Sequence, residues 1–450
     1  MVSIILCLSK EMCFVSAQKL IDYIKDKKIL ILGFGREGKS TYNFIRKYLP
    51  EKQLTIGDRN PVTIDDVNVS YDCGEDYLDN LGNYDLVFKS PGIPFLGISY
   101  PDTTEITCQT DMFLRFADCT VVGITGTKGK TTTSTLIFRM LSEAGFDTSL
   151  IGNMGVPVFE KIDMPDTSVA VIEMSSHQLE FTRSSPHIAV MTNIYEEHLD
   201  HYEEGFKGFV KSKLNIVKHQ TAEDFFVFNG TQGLKEYIDT DSLKSTCIKV
   251  YTEPDSFVAT LTGINNNLRG RHNAMDIGFA AAAAKAMGAD EESVRRAIEK
   301  FEGIPNRMEY FGTYSGVDYY NDAIATIPEA VLCAVEAIGT VGTLIIGGLD
   351  RGLDYTEFEK ALSILNIDNL VCLPETGHNI ADHITEIGTD ICIYKAKNLP
   401  DAVDFCVAHT TKGKACIMSP AAASYNYYRD FEEKGNHFKQ LVKEKTQEVL

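Results

Sequence analysis

The sequence predicts an α/β protein of three domains with mainly parallel sheets. Short apolar runs recur at residues 28–33, 53–58, 85–89, 120–125, 168–174, 187–193, 343–347, 369–373 and 415–419, each followed by a turn and a helical pattern. The runs are unalternated Val, Ile and Leu, as strands covered on both faces require, and strand–helix alternation at this spacing favours parallel sheets. The chain has 450 residues, which at about 150 per domain suggests three units. With 44% hydrophobic and 24% charged residues, the composition is that of a globular chain and excludes disorder, collagen and coiled coil.

Domain content changes along the chain. Residues 1–108 hold one dinucleotide-binding-like unit, residues 109–303 a second that opens with the strand before Gly126, and residues 304–450 a third that begins near Pro305. The five alanines at 280–284 sit inside a helix-favouring stretch over 273–287. Residues 1–15 carry no basic segment before their apolar run, which is too short to span a bilayer, so they read as a ragged leader or a short strand, with Met12 an alternative start.

Forty-three Lys and Arg against 63 Asp and Glu give a net charge of −20. Such a chain repels nucleic acid and anionic lipid, so the expected partners are small molecules, with no nucleic acid and no membrane. Phosphates remain accessible, because backbone N–H groups at a helix start bind anions whatever the net charge. The 11 cysteines are scattered without a Cys-x-x-Cys pair, which argues against a disulfide framework or structural zinc. Most lie in apolar runs, as Cys372 and Cys392 do, and are expected to be small core residues in a reducing, cytoplasmic setting.

Four motifs carry chemistry. Gly33-Phe-Gly35-Arg36-Glu37-Gly38 follows a strand and precedes a helical stretch over 39–48, and Asp58 ends the next strand. Glycines at these positions allow a tight turn and close approach to a diphosphate, and the acid can take a ribose hydroxyl. The same pattern fits an ordinary strand–helix turn, NAD or a nucleotide-sugar diphosphate. The second motif is Gly123-Ile-Thr-Gly126-Thr127-Lys128-Gly129-Lys130-Thr131-Thr132. Gly126 and Gly129 let the backbone wrap phosphates, Lys130 reaches the β/γ oxygens and the Thr131 hydroxyl suits Mg²⁺. Ile124 stands where a strict Walker A loop has its first glycine, so the loop is a variant.

Third, Glu173 ends the strand before Met-Ser175-Ser176, where an acid can face the phosphate loop and hold Mg²⁺; a hydrogen-bonded strand-end carboxylate is the plainer alternative. Fourth, Asn193…Glu196-Glu197-His198-Leu-Asp200-His201 follows another strand, with Lys213 fifteen residues after His198. No further His or Cys follows at zinc spacing, whereas Glu173 and His198 suit a hard Mg²⁺ ion.

With these motifs in order, the chain resembles the Mur ligases, the ATP-dependent amide-forming enzymes of peptidoglycan precursor synthesis. The resemblance rests on Gly126–Thr132, Glu173-Met-Ser-Ser, Asn193…His198-Leu-Asp200, Lys213, His272-Asn273, Asn306-Arg307-Met-Glu309 and Gly347-Gly348-x-Asp350, and runs from about residue 28 to the end. It is strongest to the glutamate-adding members, through the compact first domain with Ser90-Pro-Gly-Ile93, and through Ser419-Pro-Ala-Ala-Ala-Ser424 followed by Asp430-Phe431-Glu-Glu-Lys-Gly435.

The resemblance implies a Rossmann-like UDP-binding domain, a central P-loop ATPase domain with a parallel sheet, and a Rossmann-like C-terminal amino-acid-binding domain. It implies addition of D-glutamate to UDP-N-acetylmuramoyl-L-alanine by a cytoplasmic monomer. Gly35, Arg36, Glu37, Gly38, Asp58 and Arg59 would hold the uridine diphosphate, with Asn153 reaching the sugar nucleotide. Gly126, Thr127, Gly129, Lys130, Thr131 and Thr132 would cradle ATP phosphates, and Asn273, Arg307 and Asp322 would contact adenine and ribose. Thr131, Glu173, His198 and a carbamylated Lys213 would hold two Mg²⁺ ions, with Lys130, Lys213 and His198 as the catalytic set. Thr326, Arg351, Ser424 and Phe431 would receive the glutamate.

The chain departs from the family pattern at Lys128, Asp276 and Asn306, where asparagine, asparagine and histidine are usual, at Ile324 in place of a lysine, and at Arg351, also a usual lysine. Arginine there keeps the charge and adds a bidentate carboxylate fork. An L-glutamate-adding or catalytically altered member, a folylpolyglutamate-type ligase, an NAD-dependent dehydrogenase and a non-catalytic scaffold are the alternatives. The Gly33–Asp58 unit opposes the folate ligase, and the second loop opposes the dehydrogenase. Ile324 favours the scaffold, which Lys130, Glu173, His198 and Lys213 oppose.

Overall fold

The computed structural model describes residues 15–153, 156–197, 200–231, 234–251, 257–265, 268 and 271–447. The leader or strand expected before residue 15 lies almost wholly outside them. The first sheet holds β1 (Ile29–Leu32), β2 (Leu54–Asp58), β3 (Val69–Cys73), β4 (Leu86–Lys89) and β5 (Glu105–Thr107). Its order is β3-β2-β1-β4-β5 and every pairing is parallel, the doubly wound arrangement in which ligands sit at the carboxyl ends of the strands. The second holds β6 (Thr120–Thr125), β7 (Thr148–Gly152), β8 (Val169–Glu173), β9 (Ile188–Met191), β10 (Phe225–Asn229) and β11 (Thr246–Val250). It is parallel throughout, in the order β11-β10-β9-β6-β8-β7.

The third sheet holds β12 (Glu309–Tyr314), β13 (Val317–Asn321), β14 (Val341–Gly348), β15 (Asn369–Glu375), β16 (Cys392–Lys395) and β17 (Ala415–Met418). Its order is β12-β13-β17-β14-β15-β16, parallel except for the antiparallel β12–β13 pair. The described residues up to Asn265, with Arg271–Lys300, form one compact unit, and Phe301 onward forms a second.

The apolar runs become strands because both faces are covered: all four residues of β1 and all eight of β14 are buried. The first two sheets share a core. Phe159, between β7 and β8, packs its ring 4.9 Å from Phe44 and 6.0 Å from Phe88 of the first layer. In the second unit, Cys372 and Cys416 are buried as expected of core cysteines. Cys392 is exposed, contrary to expectation, because β16 is the edge strand and its first residue has no layer over it. Among the described residues no helix is long and apolar enough to cross a membrane.

Glu105 fastens β5 to the helix Val15–Ile24 and its end. Burial pushes its carboxyl up, but the Tyr23 hydroxyl, Arg115 at 2.7 Å and Lys27 at 3.0 Å hold it down to about 2. A carboxyl depressed in the folded state stabilises above its unfolded value and loses that contribution as pH falls through the folded one. Glu105→Gln should therefore remove about 3 kcal/mol at neutral pH and flatten the melting-temperature profile between pH 4.5 and 2, read by thermal denaturation.

Candidate functional site

The site in the first unit lies where the carboxyl ends of β6, β8 and β9 meet. The loop after β6 turns at Gly126 and Gly129, both at positive φ (146° and 85°), into the helix Lys130–Glu143. Neither position accepts a side chain: a Cβ would lie 1.9 Å from Thr192 Oγ1 at Gly126 and 2.4 Å from Asp276 Oδ1 at Gly129. The loop is clipped from the β9 side. Lys128 N donates to Asn193 Oδ1 at 2.8 Å, while Thr192 Oγ1 and Asn193 Nδ2 donate back to Lys128 O at 2.6 and 3.0 Å. Thr127 Oγ1 donates to Tyr195 O at 3.2 Å. Lys130 Nζ donates to Gly126 O and Thr127 O, at 2.9 and 3.0 Å, so its ammonium sits over the loop it follows. Thr131 and Thr132 are nearly buried in the first turn of the helix.

Glu173, at the end of β8, is 2% exposed. Asn153 Nδ2 donates to its Oε1 at 2.9 Å, while its Oε2 is buried without a hydrogen-bond partner among the described residues. Asn153 thus orients the carboxylate. Lys213 projects from the buried face of the helix Phe206–Lys218, and its Nζ donates to Gly126 O at 2.8 Å. Burial holds its amine well below the ordinary lysine range, and the charge of Lys130 adds to the effect against an opposing Glu197. Glu197 also receives the exposed Lys128 ammonium at 2.8 Å, which ties the segment before His198 to the phosphate loop. His198 itself lies outside the described residues. Among the described residues no three His, Cys, Asp or Glu side chains converge as a metal-holding group.

Asp276, from the helix Arg271–Ala286, accepts from Thr133 Oγ1 at 3.1 Å, so the carboxylate in place of the usual amide supports the helix after the loop. Asn273 is half-buried on that helix.

On the first sheet, the Gly33–Gly38 turn opens the helix Arg36–Tyr48. A Cβ on Gly38 would meet Gly33 O at 1.9 Å, whereas Gly35 faces open space, as a ligand-approach position should. Asp58 Oδ2 accepts from Phe34 N at 2.8 Å, and Arg59 is exposed beside it. Arg36 and Glu37 reach across to the central layer: Arg36 NH2 donates to Gly152 O at 3.3 Å, and Gln178 Nε2 donates to Glu37 Oε1 at 2.7 Å. Burial pushes the Glu37 carboxyl up. Gln178 escaped the sequence reading, although Ser175-x-x-Gln178 is a capping-box spacing and both capping bonds form.

The second unit carries the remaining candidates at one edge of its sheet. Asp322 follows β13; burial pushes its carboxyl up to about 6, while it accepts from Ser419 Oγ at 2.7 Å and Met308 N at 3.0 Å. Arg307 is exposed, and Thr326 and Ile324 are half-buried in the turn that follows Asp322. Arg351 is exposed in the loop after β14. Ser424 is 2% exposed and its Oγ has no hydrogen-bond partner among the described residues. Phe431 begins the helix Phe431–Gln447 and packs at the edge of the core. Lys434, on the same helix, was also missed, since a lysine in a charged helical stretch reads as solvated.

Comparison with known proteins places the chain in a family. Residues 124–284 match the Mur ligase middle domain family. A UDP-N-acetylmuramoylalanine–D-glutamate ligase of Clostridium kluyveri is 31% identical over 453 residues, covering 93% of this chain and 97% of its own. The enzyme of that name from Acetivibrio thermocellus is 29% identical over 463 residues, covering 94% and 98%. The crystal structure of MurF from Acinetobacter baumannii has the same fold, with a TM-score of 0.59 at 16% identity over 90% of this chain and 88% of that one. A similarity of this extent, running through all three sheets, places the chain in the Mur ligase family.

Proposed function

We propose that the chain is an ATP-dependent, ADP-forming ligase that joins D-glutamate to UDP-N-acetylmuramoyl-L-alanine through an acyl phosphate. The observation that carries this reading is the convergence, at the carboxyl ends of the central strands, of the phosphate loop, the buried Glu173 oxygen without a partner among the described residues, and the buried amine of Lys213. Its substrates follow the names of the relatives. The first sheet takes the uridine diphosphate through Gly35, Arg36, Glu37, Gly38, Asp58 and Arg59, and the second unit takes glutamate through Thr326, Arg351, Ser424 and Phe431. Asn273, Arg307 and Asp322 serve adenine and ribose. The ligase works as a cytoplasmic monomer without nucleic acid or membrane.

A carboxylate acylates poorly because its oxygen is a poor leaving group. Its oxygen attacks the γ-phosphorus and ADP departs; the amine then attacks the acyl carbon, phosphate leaves and the amine loses a proton. Lys130 and the backbone N–H groups of Gly126–Thr132 hold the phosphates through this exchange. Mg²⁺ would be held by Glu173, whose buried Oε2 has no partner among the described residues, by the Thr131 hydroxyl and, at a second position, by His198 and a carbamylated Lys213. Two such ions would offset the repulsion between the substrate carboxylate and the γ-phosphate. Lys213 suits the modification because its depressed amine is available in the neutral form that adds CO₂.

Phosphate release from ATP, with UDP-N-acetylmuramoyl-L-alanine and each glutamate enantiomer in turn, tests the reading. Release is expected with D-glutamate; release with neither enantiomer rejects it. Arg351→Ala should raise the glutamate KM by about 10- to 150-fold and leave the ATP KM nearly unchanged, the expected loss for a charged hydrogen-bond partner. An unchanged glutamate KM would remove Arg351 from the site.

A further inference from the structure

Resting on the reading that Arg351 receives glutamate, we propose that Lys434 is a positioning residue for that reaction: its bond to the Gly347 carbonyl fixes the turn that presents Arg351. Lys434 lies in the first turn of the helix Phe431–Gln447, yet it is 2% exposed. Its Nζ donates to Gly347 O at 2.9 Å. The start of that helix is itself held: Glu433 N donates to Asp430 Oδ1 at 2.8 Å, and Arg429 N donates to Glu433 Oε2 at 2.7 Å. The anchor is therefore rigid on the helix side.

The anchored turn has no side chains with which to hold itself. Gly347 and Gly348 end β14 at φ of 110° and 159°. A Cβ would lie 2.6 Å from Leu373 O at Gly347 and 2.3 Å from Ala423 O at Gly348, so neither residue has room for one. Glycine is the most permissive backbone, so such a turn keeps one path only when its peptide groups are tied. Gly347 N donates to Pro420 O at 2.7 Å and Leu349 N to Ala423 O at 2.8 Å, which ties it to the segment that carries Ser424. The Lys434 bond ties the Gly347 peptide from its other side, four residues before Arg351.

A buried ammonium is an expensive way to fill this space. It has three N–H donors, and burial pushes its amine down to about 7. A methionine of similar length would pack without the desolvation cost. Lys434 therefore carries a desolvation cost that a methionine would not, and what it supplies in return is the bond to Gly347. A residue that serves only packing would behave in the opposite way when replaced.

The experiment is Lys434→Met in the full chain, with KM measured for glutamate, ATP and the UDP-sugar, together with melting temperature. Expected are a glutamate KM raised about tenfold or more, ATP and UDP-sugar KM values within about twofold, and an unchanged or higher melting temperature. Lys434→Arg, which can still donate to Gly347 O, should recover part of the glutamate KM. An unchanged glutamate KM, or a joint rise of all three KM values with a lower melting temperature, overturns the proposal. Arg351→Ala is run in parallel. If it leaves the glutamate KM unchanged, the glutamate-site reading has failed; if it raises KM while Lys434→Met does not, the positioning role has failed. Should the methionine variant not fold, the same measurements on Lys434→Leu, which likewise has no donor for Gly347 O, decide between these outcomes.

Discussion

Lys213→Ala should lose turnover by roughly 10²–10³-fold and recover part of it with a short-chain carboxylate such as acetate. A free ammonium at this position pairs with phosphate but ligates no cation, whereas CO₂ added to the neutral amine, with loss of a proton, presents an anionic oxygen suited to Mg²⁺. The surroundings favour that modification. Lys213 is 2% exposed, its amine is depressed by burial and by Lys130, and its Nζ touches the phosphate loop at Gly126 O. Acetate offers the same kind of oxygen. Full activity in the unrescued variant would reject the carbamate; mass spectrometry of the intact protein under CO₂ gives an independent reading.

Lys130→Ala should abolish ATP turnover, by about 10³-fold or more, while calorimetric binding of the UDP-sugar stays nearly intact. Lys130 sits over its own loop through Gly126 O and Thr127 O, a position from which the ammonium meets bound phosphates. The uridine candidates, Arg36 and Glu37 among them, lie instead on the first sheet and the helix that follows its first strand. A variant that loses UDP-sugar affinity as strongly as turnover would show the two sites to be assigned to the wrong elements.

The strand–helix alternation was legible because buried parallel strands write themselves as unbroken apolar runs: β1, β6, β8, β9 and β17 all fall inside stretches read from sequence, and β14 extends its stretch at both ends. The strands that escaped lie largely toward sheet edges. β3, with Tyr71 exposed, carries too few apolar residues to stand out, and β16, with Cys392 exposed, is only four residues long. The phosphate loop was legible because its glycines are sterically required. What was not legible depends on partners distant in sequence. Nothing near Asn153 announces that it orients Glu173, and nothing near Glu37 announces Gln178, 141 residues away. Lys434 shows the same limit, since its burial is set by a strand end 87 residues before it.

The ring of Phe159 between Phe44 and Phe88 has a consequence for synthesis. Phe44 leaves the ribosome 115 residues, and Phe88 71 residues, before that ring does. At about 5–20 residues per second, these two rings wait roughly 4–23 s without Phe159. The nascent amino-terminal sheet is thus a natural client for a chaperone that shields apolar surface, and slower translation before residue 159 lengthens its exposure to aggregation.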